Sequence, residues 1–340
     1  MKQVLVLAGG STNHFVHNFN NVIEKALRLP VKTINETNFL RLFLYLSCNT
    51  KVIFIHWPDS IFWGSSNKCI FLVKGILILL FLIIQVILRT KIIWVVNNIT
   101  PHDTNKSNYK FSSFYLNLVA RCVDGWLTLS PSTHDLVIQK FPILKNKPYS
   151  FIWHPPYPAI QKTKRIREGS VVFGYAGHLK ESKNFLSAIK AFQNLRNEET
   201  ELLLSGSISS KYKTILLDQI QGQENIKLLC GFIPDDDYGN LMSSFDIVVV
   251  PYNHYLHSGV IVHALSYNKI IVCKKTNFSM DLAVYAPENF VLYDKNISED
   301  ILNEAIMKLR QFPLGVVCID FLSNNKNIDR LTNLLKYLGL

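Results

Sequence analysis

Two lysines and one small-residue step have the types and spacing to bind a diphosphate. Lys180 and Lys183 lie three residues apart at a predicted helix start, so both ammonium groups could converge on one anion. Ser258-Gly259 follows a β-branched run at 247–250 and a polar loop, and it precedes a short helical pattern. The first N–H groups of a helix carry partial positive charge and favour phosphate. Solvated lysines and an ordinary strand-to-helix turn would look the same, so neither pattern is specific alone.

Polar side chains also follow two strands that are predicted in the first half of the chain. His56-Trp57-Pro58-Asp59 comes after the strand at 51–55 and offers a base, His56 or Asp59, beside a flat aromatic ring. A second polar run, 97–103, follows the strand at 92–96. Polar residues at the carboxyl ends of parallel strands lie on the ligand edge of an α/β sheet. A capped turn with a packed tryptophan is the structural alternative for His56 to Asp59, and we favour function.

The elements that must position these residues alternate between strands and helices along the whole chain. Its 340 residues exceed the usual size of a single core, so two domains are expected. Prolines at 155–158 and a polar, basic run to 169 mark the boundary. The sequence therefore predicts an α/β protein with two doubly wound domains: 1–155, a linker at 156–169, 170–320, and a C-terminal helix at 321–340 that could pack back towards the first domain. Strands are predicted at 4–8, 51–55, 92–96, 123–129, 171–175, 201–205, 226–229, 246–250, 269–273 and 290–293.

The net charge of +11 is concentrated in the first half of the chain. Residues 1–150 hold 16 Lys and Arg against 6 Asp and Glu, whereas residues 151–340 hold 20 against 19. Such asymmetry favours an anionic partner, either nucleic acid or a membrane leaflet, over a solvated surface without a partner. The basic residues are scattered and no nucleic-acid-binding motif is present, which argues against nucleic acid.

The segment 70–88 is the most hydrophobic part of the chain. Its 14 uncharged residues between Lys74 and Arg89 are too few for a membrane-spanning helix. We favour a buried crossover helix over one that dips a face into a bilayer. The six cysteines are scattered without metal-ligand spacing, and no cleavable signal peptide is visible, which together favour a cytoplasmic protein without a metal.

Five segments spread over the chain form a recognisable set. They are IHWPD at 55–59, IIWVVNNITPHDT at 92–104, WHPPYP at 153–158, FGYAGHLKESKNFLSAIKAF at 173–192 and FDIVVVPYNHYLHSGVIVHALSYNKIIV at 245–272. Together they resemble the GT-B glycosyltransferases of the family 4 kind, which occur in bacterial polysaccharide clusters. The resemblance covers most of the chain and is specific as a set. It implies two Rossmann-like domains facing each other across a cleft, with a nucleotide-sugar bound mainly by the second domain and an acceptor by the first.

The resemblance assigns roles to particular residues. Lys180 and Lys183 fall where the family's basic pair holds the donor diphosphate, and Ser258-Gly259 is the backbone turn beneath it. Expelling a nucleoside diphosphate needs cations or N–H dipoles, which a GT-B protein can supply without a metal or cofactor. The full set of implied donor contacts is Gly177, Lys180, Lys183, Tyr252, Tyr255, Ser258, Gly259, Val260 and His263. A reaction that inverts the configuration of the sugar needs a base from the first domain. The candidate bases are Asp59, His102 and Asp103, and His14 is ranked after them.

The chain departs from the family pattern at two places. Family 4 enzymes commonly carry Glu-x7-Glu, and the matching positions here are Tyr255 and His263. The second Glu usually binds ribose hydroxyls, which His263 could do only as a single donor or acceptor. The usual His-Asn after the fourth strand is Asn97-Asn98 here. These departures leave open whether the reaction inverts or retains.

The resemblance implies a metal-independent glycosyltransferase that uses a UDP- or GDP-sugar and a lipid-linked saccharide acceptor in cell-surface polysaccharide synthesis. The basic first domain predicts peripheral binding to the cytoplasmic face of an anionic membrane. Two alternatives remain: a non-catalytic module that binds a nucleotide-sugar or polysaccharide, favoured by the missing glutamates, and a basic nucleic-acid binder.

Overall fold

The computed structural model describes residues 3–8, 14–34, 49–59, 68–99, 106–157, 170–195, 199–311 and 319–340. The chain divides into two compact units. Unit 1 comprises residues 1–155 and 322–340, and unit 2 comprises residues 156–321. Each unit is built around one parallel sheet of six strands. The predicted α/β class with two doubly wound, Rossmann-like domains is therefore confirmed.

The sheet of unit 1 has the strand order β2-β1-β3-β4-β5-β6, and every neighbouring pair is parallel. Its central strands are buried on both faces, as their runs of Val, Ile and Phe predict. The strands are β1 Gln3–Leu7, β2 Val31–Ile34, β3 Thr50–His56, β4 Lys91–Val95, β5 Gly125–Thr128 and β6 Tyr149–Phe151. Within the described part of residues 1–155, the α-helices are α1 His14–Leu27, α2 Lys68–Ile87, α3 Lys106–Cys122 and α4 His134–Lys140.

The sheet of unit 2 has the order β12-β11-β10-β7-β8-β9 and is also parallel throughout. Its strands are β7 Val171–Ala176, β8 Thr200–Gly206, β9 Ile226–Cys230, β10 Ile247–Val250, β11 Ile270–Lys274 and β12 Phe290–Tyr293. Its helices are α5 Phe185–Gln193, α6 Ser210–Ile220, α7 Asp235–Ser244, α8 Gly259–Ser266, α9 Asn277–Tyr285 and α10 Glu299–Gln311.

The last helix of the chain, α11 (Asn324–Tyr337), belongs to unit 1 although it follows unit 2 in sequence. Leu331, Leu334 and Leu335 lie in the same apolar cluster as β1 and α1. Asn327 is fully buried; its Oδ1 accepts a bond of 2.8 Å from the Trp153 amide, and its Nδ2 donates one of 3.0 Å to the Trp153 carbonyl. These paired bonds tie α11 to the end of unit 1 because a buried backbone amide needs a partner.

Two predicted helix starts differ from the structure. The stretch 180–184 was expected to open a helix, but α5 begins only at Phe185, after a single 3-10 turn at Glu181–Lys183. Asn184 has φ +59 and ψ 35, a left-handed conformation that interrupts a right-handed helix. The second is the start of α4. Ser132 is the N-cap that the sequence Ser130-Pro131-Ser132 predicts for a helix near His134, but the N-cap is Thr133, because residues 131–133 form another 3-10 turn.

Helix α2 follows the predicted crossover, but only one of its faces is in the core. Ile78, Phe81 and Leu82 are buried, whereas residues on the other side are exposed. Among the described residues, no helix is both long and apolar enough to cross a membrane.

Candidate functional site

The sheet of unit 2 reverses its direction of growth between β7 and β10. The chain continues from β7 to β8 and β9 on one side, and from β10 to β11 and β12 on the other. β7 and β10 are hydrogen-bonded neighbours, with Ile247 opposite Phe173 and Val248 opposite Gly174. The loops that leave the carboxyl ends of such a strand pair diverge, and the crevice between them is where open α/β sheets bind ligands.

The loop after β7 is held close to the end of β8 by two glycines. The Gly177 amide donates to the Ser205 carbonyl at 3.0 Å. Gly177 has φ +141 and Gly206 has φ +142, a region that favours glycine. A Cβ on Gly206 would come within 1.6 Å of the Gly177 carbonyl oxygen, so no side chain fits there. Gly177 therefore shapes the loop that carries Lys180 and Lys183.

Lys183 joins the two loops of the crevice through a pair of tyrosines. Its ammonium donates a hydrogen bond of 2.8 Å to the Tyr175 hydroxyl and lies 4.7 Å from the centre of the Tyr252 ring. The Tyr175 and Tyr252 hydroxyls are 2.6 Å apart. Burial raises the pKa of both phenols above the ordinary value, so both stay protonated. Because both phenols are neutral, the two tyrosines orient the Lys183 side chain without placing a negative charge of their own beside it.

A second link between the loops comes from asparagines. Asn184 Nδ2 donates to Asn253 Oδ1 at 3.3 Å, and the Ser187 hydroxyl donates to the Asn184 carbonyl at 2.9 Å. The loop 251–258 after β10 is thus fixed against the loop after β7 immediately beside Lys183. Tyr255, on the same loop, donates from its hydroxyl to the Lys274 carbonyl at 2.8 Å, so this phenol anchors the loop to the end of β11.

Ser258 is the N-cap of α8, and its hydroxyl is available for a ligand. Its side chain makes no capping bond and is 5% exposed, and Oγ has no hydrogen-bond partner among the described residues. The first intrahelical bond of α8 runs from the Val262 amide to the Ser258 carbonyl at 3.3 Å, so the amides of Gly259, Val260 and Ile261 precede the helical ladder. A buried hydroxyl beside unpaired helix amides suits an oxyanion.

His263 is clamped between two tyrosine rings. It stacks on Tyr157 with ring centres 4.1 Å apart and planes at 5°, and on Tyr238 at 4.6 Å and 28°. Tyr238 also donates to the Ala176 carbonyl at 2.8 Å, which ties this stack to the end of β7. Because both faces of the imidazole are covered, only its edge can meet a ligand.

In unit 1 the strand order reverses between β1 and β3; His56 is the last residue of β3, and Asp59 follows it. His56 is fully buried against Phe19, with ring centres 4.7 Å apart at 89°. Burial lowers the pKa of His56 to about 3, which the neighbouring Asn97 side chain opposes only in part. His56 is therefore a packing residue rather than an accessible base. Asp59 is 3% exposed, and Trp57 beside it adopts a left-handed φ of +42.

Of the remaining candidate bases, only His14 lies among the residues that the structure describes. His14 is the exposed first residue of α1. His102 and Asp103 lie outside the described residues. Over the described ranges, no three His, Cys, Asp or Glu side chains come close enough to share a metal ion.

Several residues of the crevice were not predicted from the sequence. Tyr175 lies inside a strand and Tyr238 inside a helix, so periodicity marks both as ordinary core residues. Asn184 carried a usable signal, because Asn tolerates the left-handed conformation and often ends or interrupts helices. The Tyr157–His263–Tyr238 stack joins residues that are far apart in sequence, which spacing alone cannot show.

Comparisons with known proteins show which family and which fold the chain resembles. Residues 157–311 match the family model "Glycosyl transferases group 1". No protein of curated function matches the sequence. Similar solved structures include HepE from Anabaena in complex with UDP and glucose, with a TM-score of 0.72 and 15% identity over 99% of this chain and 100% of that one. The lipopolysaccharide outer core galactosyltransferase WaaB has a TM-score of 0.65 and 10% identity over 99% of both chains.

A third similar structure is WaaG, a glycosyltransferase involved in lipopolysaccharide biosynthesis, with a TM-score of 0.57 and 12% identity over 98% of both chains. At these identities the likeness establishes the fold, which is GT-B over the whole chain. The family match covers the sheet of unit 2 with the crevice between β7 and β10. Unit 2 thus contains a glycosyl transferases group 1 domain, and the chain is a glycosyltransferase with the GT-B fold.

Proposed function

We propose that this glycosyltransferase moves a sugar from a UDP- or GDP-sugar to a lipid-linked saccharide in the synthesis of a cell-surface polysaccharide. The observation that carries the proposal is the pair of loops at the β7–β10 switch point. One loop supplies the ammonium of Lys183, and the other supplies the buried Ser258 hydroxyl at the start of α8. Both groups suit an anionic ligand, and the Lys183–Tyr252 contact ties the two loops to each other.

In this scheme the donor diphosphate binds at the N-terminus of α8. The amides of Gly259 and Val260 and the Ser258 hydroxyl donate to its oxygens, and Lys183 and Lys180 supply positive charge. These groups stabilise the negative charge that develops as the nucleoside diphosphate leaves. Because cations and N–H dipoles do this work, no metal or cofactor is needed. Gly177 holds the loop after β7 close to the end of β8, so that the ligand can approach the backbone of this loop.

The nucleoside binds beside the stacked His263 and the loop that Tyr252 and Tyr255 hold in place. The edge of His263 offers one donor or acceptor to a ribose hydroxyl. In the family that the chain resembles, a glutamate usually offers two carboxylate oxygens at this position. The similar structures support a nucleotide-sugar donor, because HepE was solved with UDP and with UDP-glucose. The roles of WaaB and WaaG in lipopolysaccharide synthesis support a cell-surface product.

The acceptor binds to unit 1, where Asp59 follows β3 at the switch point of the first sheet. In an inverting reaction Asp59 deprotonates the acceptor hydroxyl, with His102 and Asp103 as the other candidate bases; a retaining reaction needs no such base. The charge excess of the first half supports peripheral attachment to the anionic cytoplasmic face of a membrane, where lipid-linked acceptors are found.

The experiment that tests the function combines donor binding with turnover. UDP-, GDP-, dTDP- and CMP-sugars are first screened for a rise in the unfolding midpoint, because a ligand that binds only the folded state stabilises it. The donor that stabilises the protein most is then incubated with vesicles containing polyprenyl-diphosphate-linked sugars. We expect one or two related donors to stabilise the protein and to label the lipid. No stabilisation by any donor contradicts the proposed donor site, and stabilisation without transfer to any saccharide favours a binding module.

A further inference from the structure

Helix α2 is apolar around its whole circumference, yet only half of it is covered. One face packs into unit 1 through Ile78, Phe81 and Leu82, and Gln85 on the same face accepts a bond of 2.7 Å from the Thr90 hydroxyl. A helix that is hydrophobic all round is normally buried on all sides, because a surface helix carries polar residues on its outer face. The outer face of α2 therefore lacks the polar residues that water would favour.

The exposed face is a continuous stripe. Its residues recur at helical spacing over four turns, and each is 45% to 73% exposed. Scattered exposed apolar residues are ordinary, but a contiguous apolar patch of this length marks an interaction site. We call this set the α2 stripe: Leu72, Val73, Ile76, Leu80, Ile83, Val86 and Ile87. Phe114, on the neighbouring helix α3, is also 62% exposed.

Basic residues outnumber acidic ones near the α2 stripe. Neither α2 nor α3 contains an Asp or a Glu. Lys74, Lys110 and Arg121 lie on the two helices, and Arg89 follows α2 directly. Asp124, which follows α3, is ion-paired with Lys91 at 3.1 Å. An apolar stripe with a mainly basic surround complements a surface that is anionic outside and apolar beneath, as the interface of a bilayer is.

We propose that the α2 stripe is the membrane-docking surface of this protein and lies in the interfacial layer of an anionic bilayer. The helix presents its side to the lipid, because Ile78, Phe81 and Leu82 remain packed in the core of unit 1. A second copy of the chain fits this surface less well, since a symmetric dimer through the stripe would bring two mainly basic surfaces together. The inference rests on the proposed lipid-linked acceptor and names the surface that meets the lipid.

The composition of the stripe sets how binding should respond to salt. Basic residues steer the protein to an anionic surface, and that contribution is screened at high ionic strength. Apolar burial in the interface is not screened, so a substantial fraction of the bound protein should resist salt. Membrane binding through the stripe is therefore less sensitive to salt than binding through exposed charges alone.

The test compares three full-length proteins in sedimentation with vesicles of phosphatidylcholine and phosphatidylglycerol, at low salt and in 0.5 M NaCl, a concentration at which the Debye length falls to about 4 Å. One variant carries Ile76→Gln, Ile83→Gln and Ile87→Gln. Glutamine is a good helix former, so α2 should be retained. The control carries Leu217→Gln, Val284→Gln and Met307→Gln, three exposed apolar residues on helices of unit 2.

We expect the partition coefficient of the α2 variant onto the vesicles to be at least tenfold lower than that of the wild type at both salt concentrations. The control variant should partition like the wild type. Equal partitioning of the α2 variant and the wild type, or no binding of the wild type to these vesicles, overturns the proposal. A wild-type dimer that the α2 variant abolishes would also overturn it, because the stripe would then be occupied by a second copy. Circular dichroism shows whether the α2 variant is folded; if it is not, hydrogen exchange of wild-type α2 with and without vesicles replaces the comparison, and unchanged exchange overturns the proposal.

The donor site gives a separate readout. Stabilisation by the nucleotide-sugar depends on unit 2 and should be the same in all three proteins. If no nucleotide-sugar stabilises the wild type, the proposed function fails, whatever the vesicles show. If stabilisation is normal and the stripe variant still partitions like the wild type, only the docking surface is wrong.

Discussion

The Lys183 ammonium donates to the Tyr175 hydroxyl at 2.8 Å, although Tyr175 is a strand residue and Lys183 lies on the turn that follows. Tyr175 in turn lies 2.6 Å from the Tyr252 hydroxyl on the opposite loop of the crevice. Both phenols are kept neutral by burial, so they orient the lysine without removing its charge. A cation fixed in this way needs little reorganisation when an anionic ligand arrives, which is the condition for effective electrostatic stabilisation.

The contact between Gly206 and Gly177 predicts a large loss of stability for Gly206→Ala. The new Cβ would lie 1.6 Å from the Gly177 carbonyl oxygen, at a φ of +142. We expect the free energy of unfolding to fall by about 3 kcal/mol or more, in urea titration. Gly222→Ala is the control, because its φ of +79 is also positive but its Cβ would meet no atom within 4 Å. Its expected cost is about 1–2 kcal/mol; equal losses in the two variants would refute the close approach.

The two buried histidines of unit 1 predict a loss of stability in mild acid. Burial lowers the pKa of His56 to about 3 and that of His154 to about 4, below the ordinary value of about 6.5. At pH values between the lowered pKa and 6.5, the unfolded chain binds more protons than the folded protein does. The contribution of each histidine to stability is therefore present above pH 6.5 and is lost as the pH falls. From pH 7 to 5 each histidine should remove about 2 kcal/mol from the free energy of unfolding.

Urea titrations of the wild type and of His56→Phe at pH 7, 6 and 5 check this dependence. The variant keeps a ring against Phe19 but has no imidazole to titrate, so its loss of stability over this range should be smaller by about 2 kcal/mol. An identical pH dependence in the two proteins would mean that His56 is accessible to protons in the folded state.

The stacking of His263 between Tyr157 and Tyr238 leads to a specific expectation for His263→Glu. The substitution removes two ring stacks, worth about 1–2 kcal/mol of unfolding free energy together, and supplies the carboxylate that is usual in the resembling family. We expect the variant to fold and to bind UDP or GDP at least as tightly as the wild type, by calorimetry. His263→Gln serves as the control, since it loses the stacks without gaining a carboxylate. Abolished binding in a folded His263→Glu protein would mean that this position does not face the ribose.

Asp59→Asn tests the acceptor side. If Asp59 is the base of an inverting reaction, the substitution should lower the rate of transfer by about 10²- to 10⁴-fold and leave donor binding unchanged. Asp135→Asn is the matched control, because that carboxylate is 95% exposed and also belongs to unit 1. Transfer at the wild-type rate in Asp59→Asn would remove Asp59 from the list of bases.

Most of the fold could be predicted from the sequence, because parallel sheets require buried β-branched strands that are easy to recognise. β10 and α8 lie within a residue or two of the expected places, and so do most of the other strands. β2 was not predicted, since its four residues alternate without a buried run. The predicted helix start at Lys180 is wrong, because the left-handed conformation of Asn184 delays the helix to Phe185.

The candidate site was predictable only in part. Lys183, Ser258 and Gly259 are predicted as donor contacts because they follow strand ends, and the structure places them at the β7–β10 switch point. Their contact with a donor stays a prediction. Tyr175 and Tyr238 could not be predicted, because their contacts depend on tertiary packing across neighbouring elements. For the same reason, hydropathy alone could not decide whether α2 was covered on one side or on all sides.

The measurement that tests the donor site most directly is the calorimetric affinity of Lys183→Ala for UDP and GDP. A charged hydrogen bond to a ligand contributes about 1.5–3 kcal/mol, so the variant should bind about 10- to 100-fold more weakly, with little change in its unfolding midpoint. Lys190→Ala, which removes an exposed lysine from α5, should bind like the wild type. Wild-type affinity in a folded Lys183→Ala protein would contradict a diphosphate site at the β7–β10 switch point.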